Sequence, residues 1–148
     1  MKTPSRLKSK GRLESGSFSA VPHVVQESAN WAKCSPMAIK LLMDLLSQFK
    51  GANNGDLCAA LKIIGRKGWT RGQTISNASR ELIHYGMIEM TRQGGLHRAS
   101  LYAVTWKPID QCNGKLDVNG TRIASSLWKE NKPTYVRVNK KMPSRKTA

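Results

Sequence analysis

The middle of this 148-residue sequence predicts an α+β domain, three helices followed by a β-hairpin, with basic segments on both sides. Three observations carry that prediction. Apolar residues recur at helical spacing after a Ser35-Pro36 start, a second amphipathic stretch runs up to Gly86, and two β-prone segments flank Gly94-Gly95.

Ser35 is a good N-cap and Pro36 fits the first helical position, where no amide partner is lost. Met37, Ile39, Leu41, Leu42, Leu45, Leu46 and Phe49 then form a broad apolar face, and Gly51 supplies a stop, so the first helix is expected over 36–50. Asn53-Asn54-Gly55 reads as a turn. Asn54 is expected to cap a second helix running through Asp56, Leu57, Ala59, Ala60, Leu61, Ile63 and Ile64, with the Asp56 charge favourable at its positive end. Gly65 to Gly68, enclosing Arg66 and Lys67, closes that helix as a basic turn.

Thr70 is the expected cap of a third helix reaching about Tyr85. Ile75, Ala78, Ser79, Leu82 and Ile83 share its inward stripe, while Arg71, Gln73, Thr74, Asn77, Arg80 and His84 make a polar outer face with no acid in its first two turns. Gly86 suits a left-handed terminator. Met87 to Arg92 then alternates as a strand, Gln93 to Arg98 turns, and Leu101 to Trp106 is the strongest β segment before Pro108 ends it.

The flanks are less structured in pattern. Residues 1–22 are too polar to offset the entropy of ordering and are expected to form a flexible basic arm. Val24, Val25 and Trp31 make 23–34 a segment that can pack on the core, giving a domain over 23–110. The extension 111–148 carries turns at Asn113-Gly114 and Asn119-Gly120. Leu116, Val118, Ile123, Leu127 and Trp128 are its scattered apolar anchors, and disorder is expected from Lys132.

Charge narrows the partners. Lys and Arg number 25 against 9 Asp and Glu, a net of +16, spread as +4 over 1–34, +6 over 35–107 and +6 over 108–148. Such a surplus favours polyanions. Cys34, Cys58 and Cys112 are scattered, which argues against a disulfide framework or a zinc site, and no metal or cofactor is expected. No apolar run is long enough for a membrane span or a signal peptide, so a cytoplasmic protein is expected. His23, His84 and His97 have no acidic neighbours in sequence and no phosphate-binding loop is present, so an enzyme is not expected.

The phrase Ser79-Arg80-Glu81-Leu82-Ile83-His84-Tyr85-Gly86-Met87-Ile88 resembles the end of the recognition helix in bacterial winged-helix proteins. The stretch Asn53 to Asp110, about half the chain, resembles small helix-turn-helix proteins of bacterial phages and plasmids. The phrases that carry it are Asn54-Gly55-Asp56-Leu57, Thr91-Arg92-Gln93-Gly94-Gly95, Ser100-Leu101-Tyr102-Ala103-Val104-Thr105-Trp106 and Pro108-Ile109-Asp110. The resemblance implies a winged helix-turn-helix whose β-hairpin is the wing, and a nucleic-acid partner.

On that arrangement the third helix enters the major groove of double-stranded DNA. Arg71, Gln73, Thr74 and Asn77 are the candidate base readers, Arg pairing with guanine and Gln or Asn with adenine, while Arg80 suits a phosphate. Arg92, His97 and Arg98 on the wing suit the backbone or the minor groove, and Arg66 and Lys67 sit where a preceding turn meets phosphate. Trp69, Tyr102 and Trp106 fit core positions better than stacking platforms. The expected function is sequence-specific DNA binding by a transcriptional regulator from a mobile element, compatible with a two-fold dimer. A second class is an accessory protein that binds RNA or a nucleoprotein complex, such as replication machinery or a host defence complex, and inhibits or assists it.

Overall fold

The computed structural model describes residues 16–137, so most of the predicted N-terminal arm and the last residues of the extension lie outside the described residues. Those described form an α+β fold of five α-helices and one three-stranded antiparallel sheet. Among them, no helix is long and apolar enough to cross a membrane.

The segment 23–34 forms two short helices, α1 (His23–Gln26) and α2 (Ala29–Lys33). Val25 buries its side chain in the core, and the Ser28 hydroxyl caps α2 by accepting the Trp31 amide at 3.3 Å. Helix α3 (Pro36–Leu46) starts as predicted, the Ser35 hydroxyl accepting the Ala38 amide at 3.2 Å. It buries Leu41, Leu42 and Leu45 completely. It stops short of Gly51 because the chain tightens after Leu46 and Gln48 turns to another task. The Gln48 amide donates to the Cys58 carbonyl and accepts the Cys58 amide, both at 2.8 Å.

That contact accompanies the largest departure from the sequence reading. Leu57–Cys58 is not helical; it is strand β1, an edge strand paired with β3 through Leu57–Tyr102 and Cys58–Leu101. The second helix shrinks to α4 (Leu61–Ile64), continued by a 3₁₀ turn at Gly65–Lys67. Asn54 caps nothing. It is fully buried, and its side-chain amide donates to the carbonyls of Val104, Lys107 and Pro108 while its oxygen accepts the Val104 amide at 2.9 Å.

Helix α5 (Gly72–His84) begins with Arg71, not Thr70, at the cap position, and no side chain caps it. Ile75, Ala78, Ser79 and Leu82 face inward as expected. Ile83 does not; it lies at the margin of that stripe and is 38% exposed. The helix ends in a Schellman motif, with Met87 donating to the Leu82 carbonyl and Gly86 to that of Ile83. Gly86 has φ +69°, and a Cβ there would lie 2.4 Å from the Leu127 carbonyl oxygen. Gly86→Ala should therefore cost about 2–3 kcal/mol from left-handed strain plus displacement of Leu127, read as a lowered midpoint in urea unfolding.

Strand β2 (Ile88–Arg92) pairs antiparallel with β3 (Leu101–Val104), giving the order β1-β3-β2. A bulge between Met90 and Arg92 turns Thr91 inward, where its hydroxyl donates to the Gly55 carbonyl at 2.5 Å. Strand β3 ends at Val104, earlier than predicted, because the Thr105 amide and hydroxyl go to the carbonyls of Met87 and Gly86.

The extension packs on the domain as far as it is described. Trp128 is buried in the main core, whereas Ile123 is 81% exposed and anchors nothing. Asn30, also buried, ties the extension down: its amide donates to the carbonyls of Tyr85, Trp128 and Glu130, and its oxygen accepts the Lys132 amide at 2.9 Å. The disorder expected from Lys132 therefore does not describe residues 132–137. A buried side chain 100 residues away in sequence holds the segment before them.

Candidate nucleic-acid interface

Helix α5 presents one stripe away from the core. Successive residues turn about 100° around a helix, so Gln73, Asn77, Arg80 and His84 line up opposite Ile75, Ala78 and Leu82. Gln73 and Arg80 are exposed, and Asn77 is half-buried. The Gln73 amide donates to the Asn77 side-chain oxygen at 3.0 Å. This leaves the Gln73 oxygen as an acceptor and the Asn77 amide as a donor, side by side on the outer face. Thr74 is half-buried at the flank of the stripe, lining a hollow with Met37.

The basic residues around this helix divide into engaged and unengaged. Arg66 on the 3₁₀ turn, Arg71 at the start of α5 and Arg80 on its stripe are exposed, and none has a hydrogen bond or ion pair among the described residues. Lys67 is exposed but donates to the Ser47 hydroxyl at 2.7 Å, bracing the turn against α3. Trp69 is a core residue, as expected. Its indole N–H donates to Asp44 at 2.6 Å, and Lys40 sits 5.2 Å from the centre of its ring while pairing with Asp44.

The β2–β3 hairpin is tied together by its own arginines. Arg92 donates through two guanidinium nitrogens to the Ala99 carbonyl, at 3.1 and 2.8 Å, closing the loop across its base. Arg98 pairs with Asp117, which also accepts the Gln93 amide at 2.9 Å. A bridge between Gly95 and Arg98 leaves Leu96 and His97 at the tip, with His97 in the left-handed region and Leu96 89% exposed. Leu96 was missed in the sequence because an apolar residue in a turn carries no periodic signal. At the foot of the hairpin, Ser100 and Tyr102 share a hollow of about 260 Å³ with Gly72 and Ser76 of α5. The hairpin base and the N-terminal half of α5 are therefore neighbours.

The Gln93 amide, and then the Arg98 guanidinium, hold the Asp117 carboxyl below the usual carboxylate range. A lowered value in the folded state means the tie is complete above the ordinary aspartate pKa and is lost as pH falls through the lowered one. The tie between Asp117 and the hairpin should thus persist at neutral pH, and Asp117→Asn should speed exchange of the Gln93 amide hydrogen there. An unchanged exchange rate would show that Asp117 does not hold this hairpin, leaving Arg92, the Gly94–Ser100 hydrogen bond and the Gly95–Arg98 bridge to do so.

The acids are largely spoken for. Asp44, Asp56, Asp117 and Glu130 pair with lysine or arginine, Glu81 accepts the amide and hydroxyl of Ser35, Asp110 accepts the Asn54 amide, and Glu89 accepts the Ser125 hydroxyl. Only Glu27 among the described carboxylates has no such partner. The Cys34 thiol is pushed up to about 12 by burial and, secondarily, by the nearby Glu81 charge, so it stays protonated and is a poor nucleophile at neutral pH. Among the described residues no three His, Cys, Asp or Glu side chains group as metal ligands would. No protein-family model, curated protein or solved structure matches the chain.

Proposed function

We propose that this chain is a winged helix-turn-helix protein that binds double-stranded DNA sequence-specifically and acts as a transcriptional regulator of a mobile element, without catalytic activity or cofactor. One observation carries the reading. The elements run α3, β1, α4, α5, β2, wing, β3 with the sheet order β1-β3-β2, and the helix before the wing exposes a polar stripe, free of acids in its first two turns and accompanied by unengaged arginines.

In this reading α4 and its basic turn brace α5 across the backbone while α5 lies in the major groove. Gln73 and Asn77, coupled to each other, offer one acceptor and one donor, the complement of the adenine N6–H and N7 pair. Arg66, Arg71 and Arg80 neutralise phosphates, with Arg71 also within the reach of a guanine. Lys67, Arg92 and Arg98 act indirectly, by holding the turn and the wing in shape. The wing tip meets the duplex through Leu96 and His97, beside the helix. An extra strand ahead of α4 strengthens the reading beyond what three helices and a hairpin offered.

The test is duplex binding over a salt series. Each phosphate neutralised should contribute about −0.9 to the slope of log K against log salt, so Arg66→Ala, Arg71→Ala and Arg80→Ala should each flatten the slope by up to about one unit. A slope untouched by all three variants would contradict the assignment of this face. Stronger binding to RNA than to any duplex DNA would favour the accessory class instead.

A further inference from the structure

We infer that the hollow between the first turn of α5 and the foot of the β2–β3 hairpin binds a small phosphate ester. The site lies apart from the outer stripe of the helix and does not depend on that stripe reading bases.

The hollow encloses about 260 Å³, below the roughly 300–1,000 Å³ of sites that enclose drug-sized molecules, so it suits one compact group. Ala59, Leu61 and Ile75 give it an apolar side, while Ser76, Ser100 and Tyr102 bring hydroxyls to it. None of its lining residues is acidic, so its walls do not repel an anion.

Tyr102 carries the argument. It leaves β3 on the side that packs into the core, and it is only 7% exposed. Its hydroxyl has no hydrogen-bond partner among the described residues, yet it is not sealed in. The fully enclosed side-chain polar atoms without a partner are, among those residues, the indole nitrogens of Trp106 and Trp128. The Tyr102 oxygen therefore reaches open space, and the hollow is the opening that Tyr102 borders. A tyrosine hydroxyl so nearly buried ordinarily finds a partner. Here the room for one is the hollow.

The first turn of α5 meets the same space. Gly72 and Ser76, one turn apart, both border it. Arg71 occupies the cap position and its side chain has no acceptor to offer, so the first-turn amides of this 13-residue helix have no side-chain cap. No acid in that turn offsets the positive end of the helix. The Ser76 hydroxyl also lacks a partner among the described residues, and Ser100 accepts the Gly94 amide while keeping its own proton to donate. Ser79 is not available as a donor, since its hydroxyl donates to the Ile75 carbonyl at 2.9 Å.

The groups left open are donors beside a positive helix end. Phosphate oxygens, negatively charged and all acceptors, are their complement. The apolar side then takes the organic part to which the phosphate is esterified. Two sources offer that chemistry: a free small phosphate ester, or the sugar-phosphate backbone of a bound duplex.

The test titrates the full-length protein with inorganic phosphate, at constant ionic strength against chloride, and follows the amide resonances by NMR. Saturable shifts centred on Gly72, Gln73 and Ser76 are expected. Tyr102→Phe and Ser76→Ala should each weaken the affinity about 10-fold, as for one lost hydrogen bond to a charged group. Tyr102→Phe removes a hydroxyl that bonds to nothing in the described protein, so the unfolding midpoint without phosphate should stay put. Phosphate should raise that midpoint more in wild type than in the variant. Shifts that grow linearly and scatter over surface lysines and arginines overturn the site, as does a Tyr102→Phe protein with wild-type phosphate affinity. Competition assigns the source: phosphate that displaces duplex from wild type puts the backbone in the hollow, and simultaneous binding of both identifies a free ester. A wild type without affinity for duplex DNA removes the DNA-reading role, and the phosphate titration still decides this site.

Discussion

Asn54→Ala is expected to remove about 3–5 kcal/mol of stability, a large part of what a domain of this size holds. The side chain has no solvent exposure, and it serves three carbonyls and one amide from the chain that leaves β3. Its own backbone amide donates to Asp110 at 2.8 Å, so one residue fastens the turn before β1 to the loop after β3. Alanine would leave those groups buried and unpaired, at about 1–3 kcal/mol each before partial relaxation. Asn54→Asp should do no better, because a carboxylate cannot donate to three carbonyls. Urea unfolding should show the midpoint falling with the slope unchanged. A loss below about 1 kcal/mol would mean that water replaces the amide readily and that this node is not what holds the loop.

The second large effect concerns recognition instead of stability. Gln73→Ala with Asn77→Ala should abolish preference at one base-pair position, about 10- to 100-fold, as expected for a bidentate contact worth about 1–3 kcal/mol. The reason is the shared hydrogen bond: Gln73 fixes the Asn77 oxygen, and the two groups left over form a donor–acceptor pair. Each residue aligns the other, so the single substitutions should each lose most of the discrimination, and their effects should not add. Neither side chain is charged, so the salt slope should stay at its wild-type value. Both lie on the outer stripe of α5, so the unfolding midpoint should hardly move. Competition between duplexes differing at single positions measures the preference directly. A variant that keeps the full preference would remove this pair from the reading face.

Much of the frame was legible because local chemistry sufficed to specify it. Ser35-Pro36 and Gly86 announce the ends of α3 and α5 through caps that need only neighbouring residues. Strands β2 and β3 are marked by alternation and by the glycine turn between them. What escaped the sequence depends on partners far along the chain. Asn54 followed by Gly55-Asp56 has the composition of a helix cap, but its partners lie some 50 residues on. A two-residue strand such as Leu57–Cys58 has too short a run for any period to show, and it exists because β3 and Gln48 satisfy its backbone.

The outer face of α5 was legible for the same local reason: helical spacing alone separates Gln73, Asn77 and Arg80 from Ile75 and Leu82. Whether a basic side chain was unengaged was not legible. Lys67, Arg92 and Arg98 look like Arg66, Arg71 and Arg80 in sequence, and only tertiary contacts to Ser47, Ala99 and Asp117 separate them. The packing of Pro133 and Tyr135 on the end of α5 was hidden because Tyr135 is a lone aromatic in a polar stretch. Its significance comes from Tyr85 and His84 at the end of a helix it does not adjoin in sequence.

Selection of bound sequences from a randomised duplex library, at about 150 mM salt where non-specific backbone contacts are weakened, tests the central claim most directly. A winged helix reading bases through α5 predicts an enriched motif containing an adenine whose enrichment vanishes in the Gln73→Ala, Asn77→Ala protein. Recovery of no motif by the wild-type chain, or of the same motif by both proteins, would contradict it.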